Sequence, residues 1–257
     1  MAEPILSLRG VARDFDAFRA VDNVSLDIKT GSITGLIGPN GAGKTTLFNL
    51  LTGMLPPDAG QVALNGADVT RVAPDKLFAL GMGRTFQIPR PFARMSVLEN
   101  VMLAPMAQIG EHLLGPFFRS APMRAQETAI RERALGVLDF VTLAGLADQA
   151  AAQLSGGQKK LLELARVLMG DPDLILLDEP AAGVNPSLTK VLIEKIEALN
   201  ARGKTFLIIE HDMDFVMQHC DPIIAMAEGR VVFEGTAQEA QNNPILLDAY
   251  LGAQTDV

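Results

Sequence analysis

The chain has 257 residues, a net charge of −8, 48% hydrophobic and 20% charged residues, which bounds it to one large or two small globular domains with enough length to bury a core. The acidic balance, with no cluster of basic residues, argues against nucleic acid as a partner and against attachment to anionic lipid by charge alone. The single cysteine, Cys220, excludes an intrachain disulfide and an all-cysteine metal site, and reads as a buried thiol.

Met1–Gly10 has no basic region followed by an apolar core, so no secretion signal is expected. Leu6–Val11 and Val24–Ile28 run apolar or alternate between turn residues, and Gln61–Leu64 does so again before Asn65-Gly66. These stretches predict strands of a small, largely antiparallel layer. Phe15 lies between the first two, in a polar loop with Arg13, Asp14 and Asp16. With no Trp and one Tyr in the chain, Phe15 is a candidate stacking face for a base; packing under the sheet edge is the alternative.

Ile33–Ile37 is a short apolar run suited to a buried parallel strand, and Leu47, Phe48, Leu50 and Leu51 continue like a helix up to Gly53. Between them stand Gly38, Pro39, Asn40, Gly41, Ala42, Gly43, Lys44, Thr45 and Thr46, which contain the spacing G-x-x-x-x-G-K-[ST]. Glycines let backbone N–H groups turn inward around a triphosphate, and the following helix points its positive dipole end at the same anion. Lys44 would reach the β and γ phosphates, and the Thr45 hydroxyl would hold Mg²⁺. At average usage the four fixed positions coincide somewhere in a chain this long roughly one time in 100, and the flanking strand and helix reduce that further. Nucleotide binding is therefore expected.

A turn-rich Pro56-Pro57-Asp58-Ala59-Gly60 leads to a predicted helix over Pro74–Leu80, then to Arg84-Thr85-Phe86-Gln87 and Pro89-Arg90-Pro91. Val101–Phe118 is the nearest approach to a membrane span, but Pro105, Gln108, Gly110, Glu111, His112 and Pro116 interrupt it. From about Pro105 the pattern turns helical. Ile130, Ala134, Val137, Leu138 and Val141 share one face, with Arg131, Glu132, Arg133 and Asp139 off it.

At Leu154 the chain reads LSGGQ, and Leu161, Leu164, Ala165 and Leu168 then form the apolar face of a helix that Gly170-Asp171-Pro172 stops. Ser155, Gly156, Gly157 and Gln158 thus open a second helix suited to an anion; an ordinary serine cap is the alternative. Leu174–Leu177 predicts a fully buried parallel strand ending in Asp178-Glu179-Pro180, where α/β folds place ligands. Adjacent strand residues point opposite ways, so one carboxylate could serve Mg²⁺ while the other faces an attacking water as general base. Asn185 caps and Pro186 opens a helix with Leu188, Val191, Leu192, Ile196 and Leu199 on its apolar face. Phe206–Ile209 is another buried strand, followed by Glu210-His211-Asp212. His211 follows its strand as Asp178 follows its own, so both could meet at one site; a purely structural histidine is the alternative. His112 and His219 read as structural. Ile223–Met226 and Arg230–Phe233, joined through Glu228-Gly229, predict a closing hairpin, and Pro244–Leu251 a terminal helix.

With the glycine loop, LSGGQ, the LILLDEP strand and the strand-end histidine in this order, the chain resembles an ATP-binding cassette (ABC) transporter ATPase subunit over essentially its whole length. The resemblance implies an α/β P-loop NTPase core, a mostly parallel sheet with helices, carrying an antiparallel β layer and an inserted α-helical subdomain. It places the nucleotide-binding core at residues 1–87 and 170–257 and the helical subdomain with the signature at 88–169. It also implies that Gly38–Thr46 is the Walker A loop and Gln87 the Q-loop glutamine that joins Mg²⁺ and senses the membrane partner. Leu154–Gln158 becomes the signature, Asp178 the Walker B ligand of Mg²⁺, Glu179 the base, His211 the switch histidine on the γ-phosphate, and Phe15 the adenine-stacking aromatic. In this family two subunits pair head to tail, as homo- or heterodimers, with ATP between one Walker A and the other signature.

The blocks GRTFQIPRPFARMSVLENV (Gly83–Val101), EPAAGVNP (Glu179–Pro186) and NNPILLDAYLG (Asn242–Gly252), with the long stretch leading to the signature, are similar to the first of the two ATPases of bacterial branched-chain amino acid importers. Asn185 stands where most cassettes carry the D-loop aspartate, a variant usual in that group. The resemblance implies a partner ATPase, two membrane permeases contacting the segment after Gln87, an external solute-binding protein, and a peripheral position on the cytoplasmic face of the membrane. Close rivals are ATPases of urea or amide uptake and of lipopolysaccharide export, whose cargo pockets lie in other chains. A soluble cassette of DNA repair or translation usually carries long coiled-coil insertions or two cassettes, and this chain has one cassette and no heptad run. A non-catalytic regulatory cassette is disfavoured by the intact Lys44, Glu179 and His211.

Overall fold

Apolar residues at alternating positions fold the start of the chain into a long hairpin, β1 (Pro4–Phe15) against β2 (Phe18–Lys29), with β4 (Ala59–Leu64) on the other side of β1 and β5 (Ala67–Asp68) beyond it. All pairings in this sheet are antiparallel. Asn65 and Gly66 both adopt positive φ between β4 and β5, as a tight hairpin turn requires. The computed structural model describes residues 4–85, 89–105, 121–243 and 246. The chain divides into one unit of Met1–Arg84, Asp173–Ala181 and Glu197–Val257, and a second of Thr85–Pro172 and Ala182–Ile196.

The second sheet of the first unit is built from the continuous apolar runs. β3 (Ile33–Ile37), β6 (Met82–Arg84), β7 (Leu174–Asp178), β8 (Thr205–Ile209), β9 (Ile223–Ala227) and β10 (Arg230–Gly235) lie in the order β10-β9-β3-β8-β7-β6. From β9 to β6 all pairings are parallel, and β10 closes the edge antiparallel to β9. Every residue of β7 and β8 is buried, as strands covered on both faces demand. Leu174 and Leu176 of β7 and Leu207 and Ile209 of β8 share one core with Leu6, Leu8, Val24 and Val62 of the antiparallel sheet. The helix α1 (Lys44–Leu51) adds Leu47, Phe48, Leu50 and Leu51 to that core. On β3, Gly35 lies 3.0 Å, at an added Cβ, from both Val216 and Cys220. Cys220 is free and buried, and burial pushes its thiol up to about 12.

The second unit is helical. α3 (Val97–Met102), α4 (Ala121–Phe140) and α5 (Gly156–Leu168) pack on one another. Ala134, Leu138 and Val141 of the predicted face are buried, while Arg131, Glu132, Arg133 and Asp139 are exposed. The buried Asn100 ties the segment before α3 in place, since its Oδ1 accepts from Phe92 N (2.8 Å) and its Nδ2 donates to the carbonyls of Phe92 (3.1 Å) and Ser96 (2.9 Å). Against the sequence boundary of 88–169, residues 182–196 also cluster with this unit. The contact of α5 with the start of α6 (Pro186–Asn200) explains why: a Cβ on Gly157 would sit 2.7 Å from Leu188 Cδ1 and 3.0 Å from Val184 Cγ1.

Short elements account for most differences from the sequence reading. The helix α2 (Pro74–Ala79) is expected, but β6, α3, α7 (Met213–His219) and α8 (Ala237–Gln241) are not. Three to seven residues are too few to show a period. His112 and the predicted terminal helix, save Leu246, lie outside the described residues.

Candidate nucleotide site

Because β3, β8 and β7 are parallel neighbours, their carboxyl ends fall on one edge. That edge collects Gly38–Gly43 after β3, Glu210 and His211 after β8, and Asp178 and Glu179 at the end of β7. Asp178 is level with Ile209 across the β7–β8 pair, and Leu36 with Ile209 across the β3–β8 pair.

The loop passes into α1 through Gly43, which takes φ 95 and supplies no side-chain cap. The N–H groups of the first turn therefore have no side chain from the N-cap to satisfy them, which is the cradle an anion fills. Lys44 folds back across the loop, its Nζ donating to Gly38 O (2.6 Å) and Pro39 O (3.0 Å). Burial pulls the Lys44 ammonium below the ordinary lysine range, while the charges of Glu179 and Asp178 oppose that shift. Asn40, Gly41 and Thr45 are exposed, Pro39 and Thr46 are partly buried, and Ala42 and Gly38 are buried. A Cβ on Gly43 would lie 2.3 Å from Ala20 O. Gly43→Ala is accordingly expected to destabilise the fold by at least about 1–2 kcal/mol from its left-handed backbone alone, and to weaken ATP binding. Urea denaturation and titration with a fluorescent ATP analogue test both.

Asp178 ends β7 and is 4% exposed. Arg84, at the end of β6, donates from Nη2 to Asp178 Oδ2 (3.1 Å) and from Nη1 to Asn49 Oδ1 (2.7 Å) and Thr52 Oγ1 (2.9 Å), with its guanidinium 5.6 Å from the Phe48 ring centroid. Glu179 differs from the strand-alternation reading. It lies beyond β7 with φ 46, and its N–H donates to Ile209 O (2.9 Å). The left-handed backbone, not the pleat, therefore directs its carboxylate. His211 Nδ1 is 3.8 Å from Glu179 Oε1, so the predicted meeting of the two strand ends occurs through Glu179. After His211, the Asp212 carboxylate accepts from Phe215 N and caps α7. His219 sits apart, with Nδ1 3.1 Å from Glu197 Oε1 and its ring edge-on to Phe215.

Phe15 is not in a loop. It is the last residue of β1, paired with Phe18 around Asp16-Ala17, where Asp16 takes φ 52 to close the turn. Its ring is 41% exposed, with the Arg13 guanidinium 5.2 Å from the centroid, so it does not pack under the sheet. Phe18, 63% exposed, is a second aromatic at this tip that sequence reading passed over. In the second unit Ser155 and Gln158 form a reciprocal cap: Ser155 Oγ accepts from Gln158 N (3.3 Å) and Gln158 Oε1 from Ser155 N (2.9 Å). Gly156 is exposed and Gly157 buried, and Lys160 Nζ donates to Ala182 O (2.7 Å). Gln87 lies outside the described residues. Arg84 and Glu210 are the polar residues of this edge that the sequence reading left without a role.

Hard oxygen donors are present in the Thr45 hydroxyl and Asp178, and among the described residues no group of three His, Cys, Asp or Glu could hold a metal by itself. That donor set suits Mg²⁺, which binds through one or two protein oxygens together with substrate phosphates and water.

A strand, an uncapped glycine loop with an inward lysine, and carboxylates on neighbouring strand ends define a P-loop nucleotide-binding protein. The profile described as ABC transporter matches residues 21–182. The chain belongs to this family and is an ATP-hydrolysing cassette. It is 43% identical over 252 residues, 97% of this chain and 96% of the other, to the probable branched-chain amino acid transport ATP-binding protein LivG of Archaeoglobus fulgidus. Among solved structures, an ATP-binding cassette of an ABC transporter in its ADP conformation is 38% identical with a TM-score of 0.85, covering 98% of this chain and 100% of that one. A dimeric cassette in a post-hydrolysis state, bound to ADP and phosphate, is 27% identical with a TM-score of 0.75, covering 90% and 98%.

Proposed function

We propose that this chain powers an importer of branched-chain amino acids, pairing head to tail with a second cassette beneath two membrane permeases fed by an external solute-binding protein. The observation that carries the reading is the near-full-length likeness to a chain named for branched-chain amino acid transport. The solved cassette dimer with ADP and phosphate supports pairing. Among the described residues no helix is long and apolar enough to cross a membrane, and in this reading the permeases hold the chain at the cytoplasmic face.

In this scheme the unit of Met1–Arg84, Asp173–Ala181 and Glu197–Val257 is the nucleotide core, and the unit of Thr85–Pro172 and Ala182–Ile196 the helical subdomain. Phe15 stacks on adenine, and the Gly38–Thr46 backbone with Lys44 grips the phosphates. Thr45, Asp178 and Gln87 would hold Mg²⁺, which would supply charge neutralisation of the phosphates. Glu179 takes a proton from water as the water oxygen bonds to the γ-phosphorus and the bond to the bridging oxygen breaks. His211 holds the γ-phosphate, and Ser155, Gly156, Gly157 and Gln158 close over the nucleotide of the partner cassette. Hydrolysis removes the phosphate both cassettes grip, and they part.

The test is purification of the tagged chain from native membranes together with uptake of labelled leucine. A second cassette and integral membrane proteins should co-purify, and Lys44→Ala should abolish uptake. Co-purification with ribosomes or DNA, or undiminished uptake by the Lys44→Ala cells, would overturn the reading.

A further inference from the structure

We propose that Glu210 is a positioning residue for ATP hydrolysis, a buried carboxylate that fixes the turn carrying Glu179 and the backbone of His211 in one geometry. The inference rests on the roles given above to Glu179 and His211. Glu210 is 1% exposed at the end of β8. A carboxylate so placed loses its hydration and persists where the fold supplies donors. Two backbone donors come from the segments that carry the reacting groups. Glu210 Oε1 accepts from Ala181 N (2.8 Å), and Oε2 accepts from His211 N (3.3 Å).

The arrangement pins Glu179 from both sides. On its N-terminal side, its own N–H is held by Ile209 O (2.9 Å). Two residues on, past the buried Pro180, the Ala181 N–H is held by Glu210. Between these anchors Glu179 keeps φ 46, a backbone that costs a non-glycine residue energy and persists when its surroundings over-determine it. The imidazole stands near both carboxylates: His211 Nδ1 lies 3.9 Å from Glu210 Oε2 and 3.8 Å from Glu179 Oε1. Glu210 thus holds the backbone of both segments from a buried position. A misplacement near 1 Å costs about 100-fold in rate, so the loss of this strut is read in turnover and spares ATP affinity.

Glu210→Ala and Glu210→Gln in the full chain, with ATPase kinetics, binding of a fluorescent ATP analogue and melting temperature, test the proposal. Glu210→Ala should lose about 100-fold in kcat with the Kd for ATP unchanged. Glu210→Gln keeps an acceptor for Ala181 N–H but sets an amide against one of its two donors, and should lie between the parent and Glu210→Ala. If the alanine variant fails to fold, the glutamine variant carries the test. Adding Glu210→Gln to Glu179→Gln should cost less than the product of the two single losses, because the share of its effect that acts through Glu179 has nothing left to position. Full kcat at a temperature where the variants are folded would overturn the inference and leave Glu179 as base intact. Normal turnover in Glu179→Gln alone would instead overturn the assignment of the base. Additive losses in the double variant would also overturn the inference, as the sign of a separate role.

Discussion

Glu179→Gln is expected to slow ATP turnover by about 10²–10⁴-fold, the range that general bases contribute, while ATP still binds. The substitution keeps the side-chain shape and leaves the backbone anchor from Glu179 N to Ile209 O in place. What it removes is the group proposed to accept the proton of the attacking water. His211 does not replace it, since its Nδ1 approaches the Glu179 carboxylate at 3.8 Å and its proposed work is to hold the γ-phosphate. With ATP retained between two cassettes and not split, the closed dimer should accumulate. Gel filtration with ATP and Mg²⁺ would show the variant at twice the monomer mass, while the parent returns to monomer as ATP is consumed. Phosphate release at the parental rate would sink the assignment of the base, whatever the gel filtration showed.

How much of this site was legible beforehand depended on how local its physics is. The loop Gly38–Thr46 is contiguous, and its strand and helix follow from adjacent apolar runs, so both were readable. β7 and β8 were readable for a related reason: parallel strands buried on both faces have no polar side to interrupt them. Apolar runs point to the strand end that carries Glu179 but not to the direction of its carboxylate, because alternation governs residues inside a strand and Glu179 is past it. The strand position of Phe15 is hidden in the sequence because a turn as short as Asp16-Ala17 leaves no run of turn formers to mark it. Arg84 and Glu210 could not be found this way. The partners of Arg84 lie 35, 32 and 94 residues away, and Glu210 meets Ala181 across 29. Such pairs leave no period in a sequence, and a charged residue after an apolar run reads as solvated until the topology shows it buried.

The other large effect expected is on stability. Arg84→Met should destabilise the fold by about 3–5 kcal/mol, the cost of breaking a buried ion pair by removing one partner. The side chains of Arg84 and Asp178 are 11% and 3% exposed, so water cannot replace the lost guanidinium at the carboxylate. Asn49 Oδ1 and Thr52 Oγ1 lose the Nη1 donor at the same time. Methionine would fill the stem's space over Phe48 and thus separate the electrostatic loss from a cavity. Burial pulls Arg84 below the ordinary arginine range, against the pull of Asp178. For a chain of this size the loss corresponds to a fall in melting temperature of roughly 10 °C. Arg84→Lys should fall between, because one ammonium keeps the charge but cannot reach Asn49, Thr52 and Asp178 together. A methionine variant melting within about 2 °C of the parent, at most about 1 kcal/mol on the same scale, would mean that Asp178 does not depend on Arg84.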